Sequence, residues 1–275
     1  MTEPQDAKES TGRSPDAASN PSANEPSPPG DDDPRAVATV RSSFRSKPTV
    51  WIPFLVAGCL LWLVDGRRER DSLPIQPPGS ESTLDGSFSL YPTGTTETGR
   101  SLDALVDLPL EVLAYGVGLE LLVIGAVATA GWLTMTRVSE TSVRPRRFVV
   151  YAGVVSLLSL LENSGSAIDL TLSVRSLPVA VVAFAGAAFV TVRLFFLPVA
   201  ILRAEPLRAA PRESWRRSRG QGVTLVALIV VIVLASGWLA ALPSVGVVLS
   251  VTIVGTVHAV SVVALYDRRR TSSSR

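Results

Sequence analysis

The sequence predicts an all-α fold, a polytopic bundle of six transmembrane helices behind a disordered N-terminal tail. Three observations predict it. Mean hydropathy is +0.33, with 47% of the 275 residues apolar, high for a water-soluble chain of this length. Charge is unevenly placed: long stretches carry almost none, while the connections between them are rich in arginine. Several of the apolar runs reach or approach the roughly 20 residues that cross a hydrocarbon core.

Residues 1–47 are polar and rich in Pro, Ser, Asp and Ala, with Pro26, Pro28 and Pro29 followed by Asp31, Asp32 and Asp33. Apolar residues are too sparse there to bury a core, so the segment reads as a disordered tail. It does not read as a signal peptide, because the first apolar run begins near Thr49 with no small-residue cleavage site after it. Residues 48–270 form the membrane domain, and 271–275 a short tail. Span 1 covers about 48–64, with Trp51 and Trp62 near its ends as interfacial anchors. Residues 65–102 contain seven prolines and glycines between Pro74 and Gly94 and read as a loop, with a short strand at Ser87–Leu90.

Span 2 covers about 108–135. Asp103, Asp107 and Glu111 precede or open it on one face, where the helix dipole favours acidic groups. Gly116, Gly118, Gly125 and Thr129 suit close helix packing. Span 3 is short, about 148–161, stopped by Glu162-Asn163-Ser164-Gly165. Residues 168–175 alternate apolar and polar, which favours an extended segment. Span 4 runs from Pro178 to about Leu202, with Ala183, Ala187 and Thr191 as a small-residue face.

A basic segment follows, with Arg203, Arg208, Arg212, Arg216, Arg217 and Arg219 around Trp215. Pro211 suits the first position of a short helix and Gly220 the position past its end. The expectation is a helix lying on anionic headgroups. Spans 5 and 6 cover about 223–242 and 245–266. The tight Pro243-Ser244 turn makes them an antiparallel pair. Gly246/Ser250 and Gly255/Ala259 are small-xxx-small pairs.

Arginine and lysine near the spans set orientation. Arg35, Arg41, Arg45 and Lys47, then Arg137, Arg144, Arg146 and Arg147, then the basic segment and Arg268–Arg270 all fall on the side of the termini. Both termini are therefore expected in the cytoplasm. Arg67, Arg68 and Arg70 dissent, with Asp65, Glu69 and Asp71 beside them as local neutralisers.

Three ionisable residues fall inside spans: Glu120, Arg193 and His258. A charge at mid-membrane costs about 2.5–3.5 kcal/mol on insertion scales, so each needs a partner or a water path. Their expected depths, about 15–24 Å at 1.5 Å per residue, allow one polar cluster. Two simpler placements compete with it: Arg193 snorkelling to the headgroups and His258 bonded between helices. Pro198 removes a backbone donor five residues after Arg193 and predicts a kink or hinge in span 4. Cys59 stands alone and reads as a small buried hydrophobe, with no disulfide framework.

Metal-protease, nucleophile-elbow and Walker patterns are lacking, so no catalytic residue and no cofactor is predicted. One histidine excludes a multi-histidine metal site. The basic segment flanks a span, so lipid contact explains it and nucleic-acid binding does not. Arg193-x-x-Phe196-x-Pro198, Glu205 and Ser214-Trp215-x-x-Ser218-x-Gly220 resemble the C-terminal half of a prokaryotic six-helix membrane domain. That domain is similar to the membrane portion of certain glycerophosphodiester phosphodiesterases, and many of its relatives are of unknown function. The resemblance covers about residues 185–266 and implies an accessory membrane domain; this chain has no stretch long enough for the phosphodiesterase barrel. The functional expectation is a non-enzymatic scaffold, assembly factor or complex subunit with membrane-protein partners. The alternative is a small transporter built on Glu120, Arg193 and His258.

Overall fold

The computed structural model describes residues 48–71, 89–94, 108–142, 144–165, 177–204 and 206–272. Side chains are described for these except 162–165, 177–180, 183–184 and 269–272. The expected N-terminal tail, Ser87 and Phe88 of the expected strand, Asp103, Asp107, Glu205 and the 168–175 stretch lie outside the described residues.

Helix α1, Ile52–Arg68, carries Pro53 in its first turn, where a missing N–H costs nothing, and Arg67 and Arg68 in its last. Helix α2, Leu110–Ser139, has Glu111 in the first turn and Arg137 in the last, both favourable to the dipole. It ends at Glu140, whose φ of 50° reverses the chain. Helix α3 is Pro145–Gly165. The expected fourth span is broken: α4, Leu177–Leu194, and α5, Leu197–Arg203, are separated by Phe195 and Phe196. Helix α6, Ala210–Ser218, is the basic segment. Helix α7, Gly222–Ala240, turns through Pro243 and Ser244 into α8, Gly246–Leu249. A π-helical stretch, Ser250–Val254, then joins α8 to α9, Gly255–Ser272.

The chain is all-α, and five of its described helical stretches are long and apolar enough to cross a membrane: Pro48–Arg68, Leu110–Ser139, Ala185–Arg203, Gly222–Ala240 and Gly246–Arg268. Helix α3 is not among them. Arg146 and Arg147 at one end and Glu162 and Asn163 at the other dilute its apolar middle.

Helix α1 lies between α2 and the C-terminal helices. Antiparallel to α2, it accepts from Thr134 at the Val50 carbonyl (3.4 Å) and from Arg137 at the Thr49 carbonyl (3.1 Å). Against the C-terminal side, a Cβ on Gly58 would meet Val248 O at 3.0 Å, and one on Gly255 would meet the Phe54 ring at 2.6 Å. Gly255 with Ala259, fully buried, is thus a packing seam, as its spacing predicted. The glycine face expected on α2 is corrected in part. Gly116 is buried, but nothing lies within 4 Å of a Cβ on Gly118 or Gly125, and Thr129 is exposed. The packed face is Val127, Ala128, Ala130 and Gly131. Cys59 is also corrected, since it is exposed on the apolar outside of α1.

The largest departure from expectation is at residues 89–94. Tyr91 and Pro92 are buried inside the bundle. The Tyr91 hydroxyl bonds Ser159 of α3 at 2.8 Å. Leu90 and Tyr91 line a small apolar cavity with Tyr151, Val155, Leu197, Pro198 and Ile201. A Cβ on Gly94 would lie 2.5 Å from the Val251 nitrogen and 2.6 Å from the Ser250 carbonyl carbon, in the π stretch. This is buried non-helical backbone packed among the helices, admissible in a membrane only where protein covers it, as it does in a re-entrant segment. The Gly94 contact is backbone against backbone, so no rotamer change relieves it. Gly94→Val is expected to dislodge the segment, costing about 1–3 kcal/mol as an overpacked site does. Limited proteolysis within 65–102 and thermal melting in detergent would read the loss.

Candidate functional site

The described residues that depart from regular helix converge on α4 and α5. Pro198 has no N–H, and the chain leaves the helix at Phe195 and Phe196. The missing N–H takes the helical donor from the Leu194 carbonyl, four residues back. At the carbonyl next to it, that of Arg193, the Ser214 hydroxyl of α6 donates at 2.9 Å. Ser214 is fully buried, so α6 is not simply laid on a surface. It docks against α4.

The next residue completes the clamp. Trp215 meets Phe189 edge to face with ring centroids 5.6 Å apart. The Arg193 guanidinium carbon lies 4.8 Å from the Phe189 centroid and 5.5 Å from that of Trp215. Two aromatic faces thus hold the cation, an arrangement worth about 0.5–2 kcal/mol per pair depending on desolvation. The Arg193 Nε is buried with no hydrogen-bond partner among the described residues, so the rings supply much of what water would.

Glu120 is held elsewhere. Its Oε2 accepts from Arg68 Nη2 at 2.6 Å, and Arg68 Nη1 reaches Asp65 Oδ1 at 3.2 Å. Arg68 and Asp65 are each only 2% exposed, and Glu120 is half-buried, so a buried ion pair at the last turn of α1 meets a second, partly exposed carboxylate. Glu120 therefore sits level with the end of α1 and not in the middle of the bundle. Helix α2 is longer than α1 by about 20 Å at 1.5 Å per residue, and its first ten residues extend past the pair. The sequence reading placed Arg68 in a loop and missed it. The available signal was Asp65 three residues before Arg68, on one helical face.

His258 is 1% exposed and stacks on Phe195, with centroids 5.6 Å apart and planes 21° apart. It thereby sits against the break in α4 and α5. The three ionisable residues each take different partners: Glu120 takes Arg68, Arg193 takes Phe189 and Trp215, and His258 takes Phe195.

The basic segment divides in two. Arg208, Arg212, Arg216 and Arg219 are exposed, with Arg216 on Glu213 at 2.6 Å. Arg217 and Arg203 turn inward. Arg217 bonds Glu213 and the Tyr266 carbonyl and stacks 3.9 Å from the Tyr266 centroid. Arg203 forks onto Asp267, with one contact at 3.1 Å. Partial burial alone would push the Glu213 carboxyl up, but hydrogen bonds from Arg217 and Arg216 outweigh it and hold it below the usual carboxylate range. A lowered pKa stabilises the fold above the ordinary carboxylate pKa, and that contribution is lost as pH falls through the lowered value.

Four variants test this geometry. Ser214→Ala leaves the Arg193 carbonyl without its hydroxyl donor and is expected to cost about 1–3 kcal/mol in detergent-solubilised melting. Arg68→Ala leaves the buried Asp65 carboxylate and the half-buried Glu120 without their shared cation and is expected to cost about 3–5 kcal/mol. Glu120→Gln, which keeps an acceptor for Arg68, should cost clearly less. Glu213→Gln should flatten the fall in melting temperature that wild type shows on acidification below about pH 4.5, the ordinary carboxylate value.

Comparison with known proteins finds no matching family model, no matching curated protein and no matching solved structure. What is established is a helical protein with five candidate membrane-spanning helices.

Proposed function

We propose that this chain is a non-enzymatic integral membrane protein, a scaffold, assembly factor or subunit of a larger complex. The observation that carries the reading is that Glu120, Arg193 and His258 take separate partners, an arginine for the first and aromatic rings for the other two. A transporter needs polar groups converging on a substrate path near mid-membrane, whereas these three serve helix packing in three places. Two helices offer broad apolar faces to lipid or to a partner. Only 17% of the apolar window is buried in each of α2 and α7, against 67% in the C-terminal span. Trp238 of α7 is 81% exposed.

In the proposed arrangement α3 completes a sixth crossing, with Arg146 and Arg147 snorkelling at its start. Both termini are then cytoplasmic, and the exposed arginines of α6 face anionic headgroups. The arginine-rich termini and connections support this orientation. The similarity of the Arg193, Phe196, Pro198 and Ser214-Trp215 pattern to the accessory membrane domain agrees with a structural role, since those residues form the clamp on the α4 break.

A small transporter is the second reading, favoured by one observation. The buried segment 89–94, the break at Phe195–Phe196 and the π stretch meet at Pro198 and Gly94, and broken helices with re-entrant backbone recur at transport sites. Mutation separates the two. Under the first reading, Glu120→Gln and Arg193→Gln lower the amount of assembled protein on native gels and leave any ion or solute flux into proteoliposomes at the empty-vesicle level. Normal expression with flux in the wild type that these variants abolish would establish the second. Reporter fusions test orientation: a C-terminal fusion active only outside the cell would overturn the six-span arrangement.

A further inference from the structure

We propose that the end of the bundle bearing Arg203 contains a binding site for a phosphate-class oxyanion, distinct from the exposed arginine face of α6. The site is a cleft of roughly 370 Å³ lined by Ser139, Thr141, Ser142, Arg144, Arg147, Arg203 and Asp267. Its volume falls in the ordinary range for small-ligand sites, roughly 300–1,000 Å³. Its lining is wholly polar or charged, so it suits a headgroup-sized anion and not an acyl chain.

Three stretches remote from one another in sequence build it: the passage from α2 into α3, the end of α5 and the end of α9. The left-handed turn at Glu140 ends α2 and brings Thr141 and Ser142 round to the start of α3. Ser139 and Thr141 join their hydroxyls at 2.8 Å. Arg147 bonds the carbonyls of Leu202 and Ala204 at the end of α5, the latter at 3.4 Å. Arg203 is oriented by its fork onto Asp267 of α9, with the Tyr266 ring 5.6 Å from its guanidinium carbon. Protein contacts thus hold the Arg147 and Arg203 guanidinium groups in place before any ligand arrives.

The charge balance selects an anion. Three guanidinium groups face one carboxylate, a formal excess of two positive charges. Each guanidinium presents five N–H donors in a planar fork, so one that already holds a protein acceptor still serves a ligand. Forked arginines with hydroxyl donors beside them match the oxygens of a phosphate. At this end of the bundle such a group arrives either on a lipid headgroup or as free phosphate or a small phosphate ester.

The experiment uses the full chain in nanodiscs of neutral phosphatidylcholine and in nanodiscs containing phosphatidic acid. Inorganic phosphate and glycerol 3-phosphate are titrated in the first, and native mass spectrometry counts retained phosphatidic acid in the second. Saturable phosphate or ester binding assigns the free source. Retained phosphatidic acid without it assigns the headgroup. Arg144→Gln, at an exposed position whose loss should leave folding intact, is expected to weaken either by about tenfold, the worth of one charge-assisted hydrogen bond. Ser142→Ala gives a second, milder variant. Arg212→Gln, exposed on α6, should leave binding unchanged. Absence of both kinds of binding, insensitivity to Arg144→Gln, or an equal loss in Arg212→Gln overturns the site.

Discussion

A missing hydrogen-bond donor shapes this protein. Pro198 interrupts the backbone ladder of an apolar stretch, and backbone polar groups buried in lipid must find partners in protein. The carbonyl that Pro198 leaves without its helical donor is that of Leu194, and at the neighbouring carbonyl, that of Arg193, Ser214 of α6 donates a hydrogen bond. Because Ser214 belongs to α6, this bond holds the basic helix against α4 beside the break and places Trp215 over Arg193. The docking of α6, the packing of Trp215 and the accommodation of Arg193 thus meet at one interruption of the helix. The aromatic residues of the break continue the pattern, since Phe195 carries His258 and Phe196 packs edge to face on Tyr266.

The same requirement explains the buried segment 89–94. Residues 89–94 lack helical hydrogen bonding, yet Tyr91 and Pro92 are buried. They are tolerated because α3, the broken helix and the π stretch surround them, and because Tyr91 finds Ser159. The π stretch is itself irregular, and two of its polar groups are met by side chains: the Ser250 hydroxyl bonds that of Ser236 at 3.1 Å, and the Thr252 carbonyl accepts from Thr256 at 2.5 Å. Three irregular pieces of backbone thereby share one region, each covered by the others. A polar cluster at the bundle's centre is not needed to hold them.

Charge is handled by separation. At the end of α1, two carboxylates enclose Arg68. At the other end, Arg203 pairs with Asp267, and Arg217, itself paired with Glu213 inside α6, bonds the Tyr266 carbonyl; these contacts tie α5 and α6 to the end of α9. The two interhelical ion pairs, Arg68 with Glu120 and Arg203 with Asp267, act as register pins between helices.

By itself the sequence determined what local composition controls. Run length and hydropathy marked out the apolar helices, five of which are long and apolar enough to cross a membrane where six spans were expected; Pro243-Ser244 marked the tight turn between α7 and the C-terminal span, Pro211 and Gly220 bracketed α6, and Pro198 announced a break. These follow from properties of a single segment: apolar length, a missing donor, a permitted backbone angle. Only the tertiary structure decided who meets whom. Glu120 and Arg68 are 52 residues apart, Ser214 reaches back 21 residues, and Gly94 meets a helix more than 150 residues later. Partner choice depends on helix rotation and register, which periodicity in so uniformly apolar a chain leaves almost unmarked. The pairing of Glu120 with Arg68 was unmarked for that reason, and the burial of Tyr91 and Pro92 among the helices had no local signature.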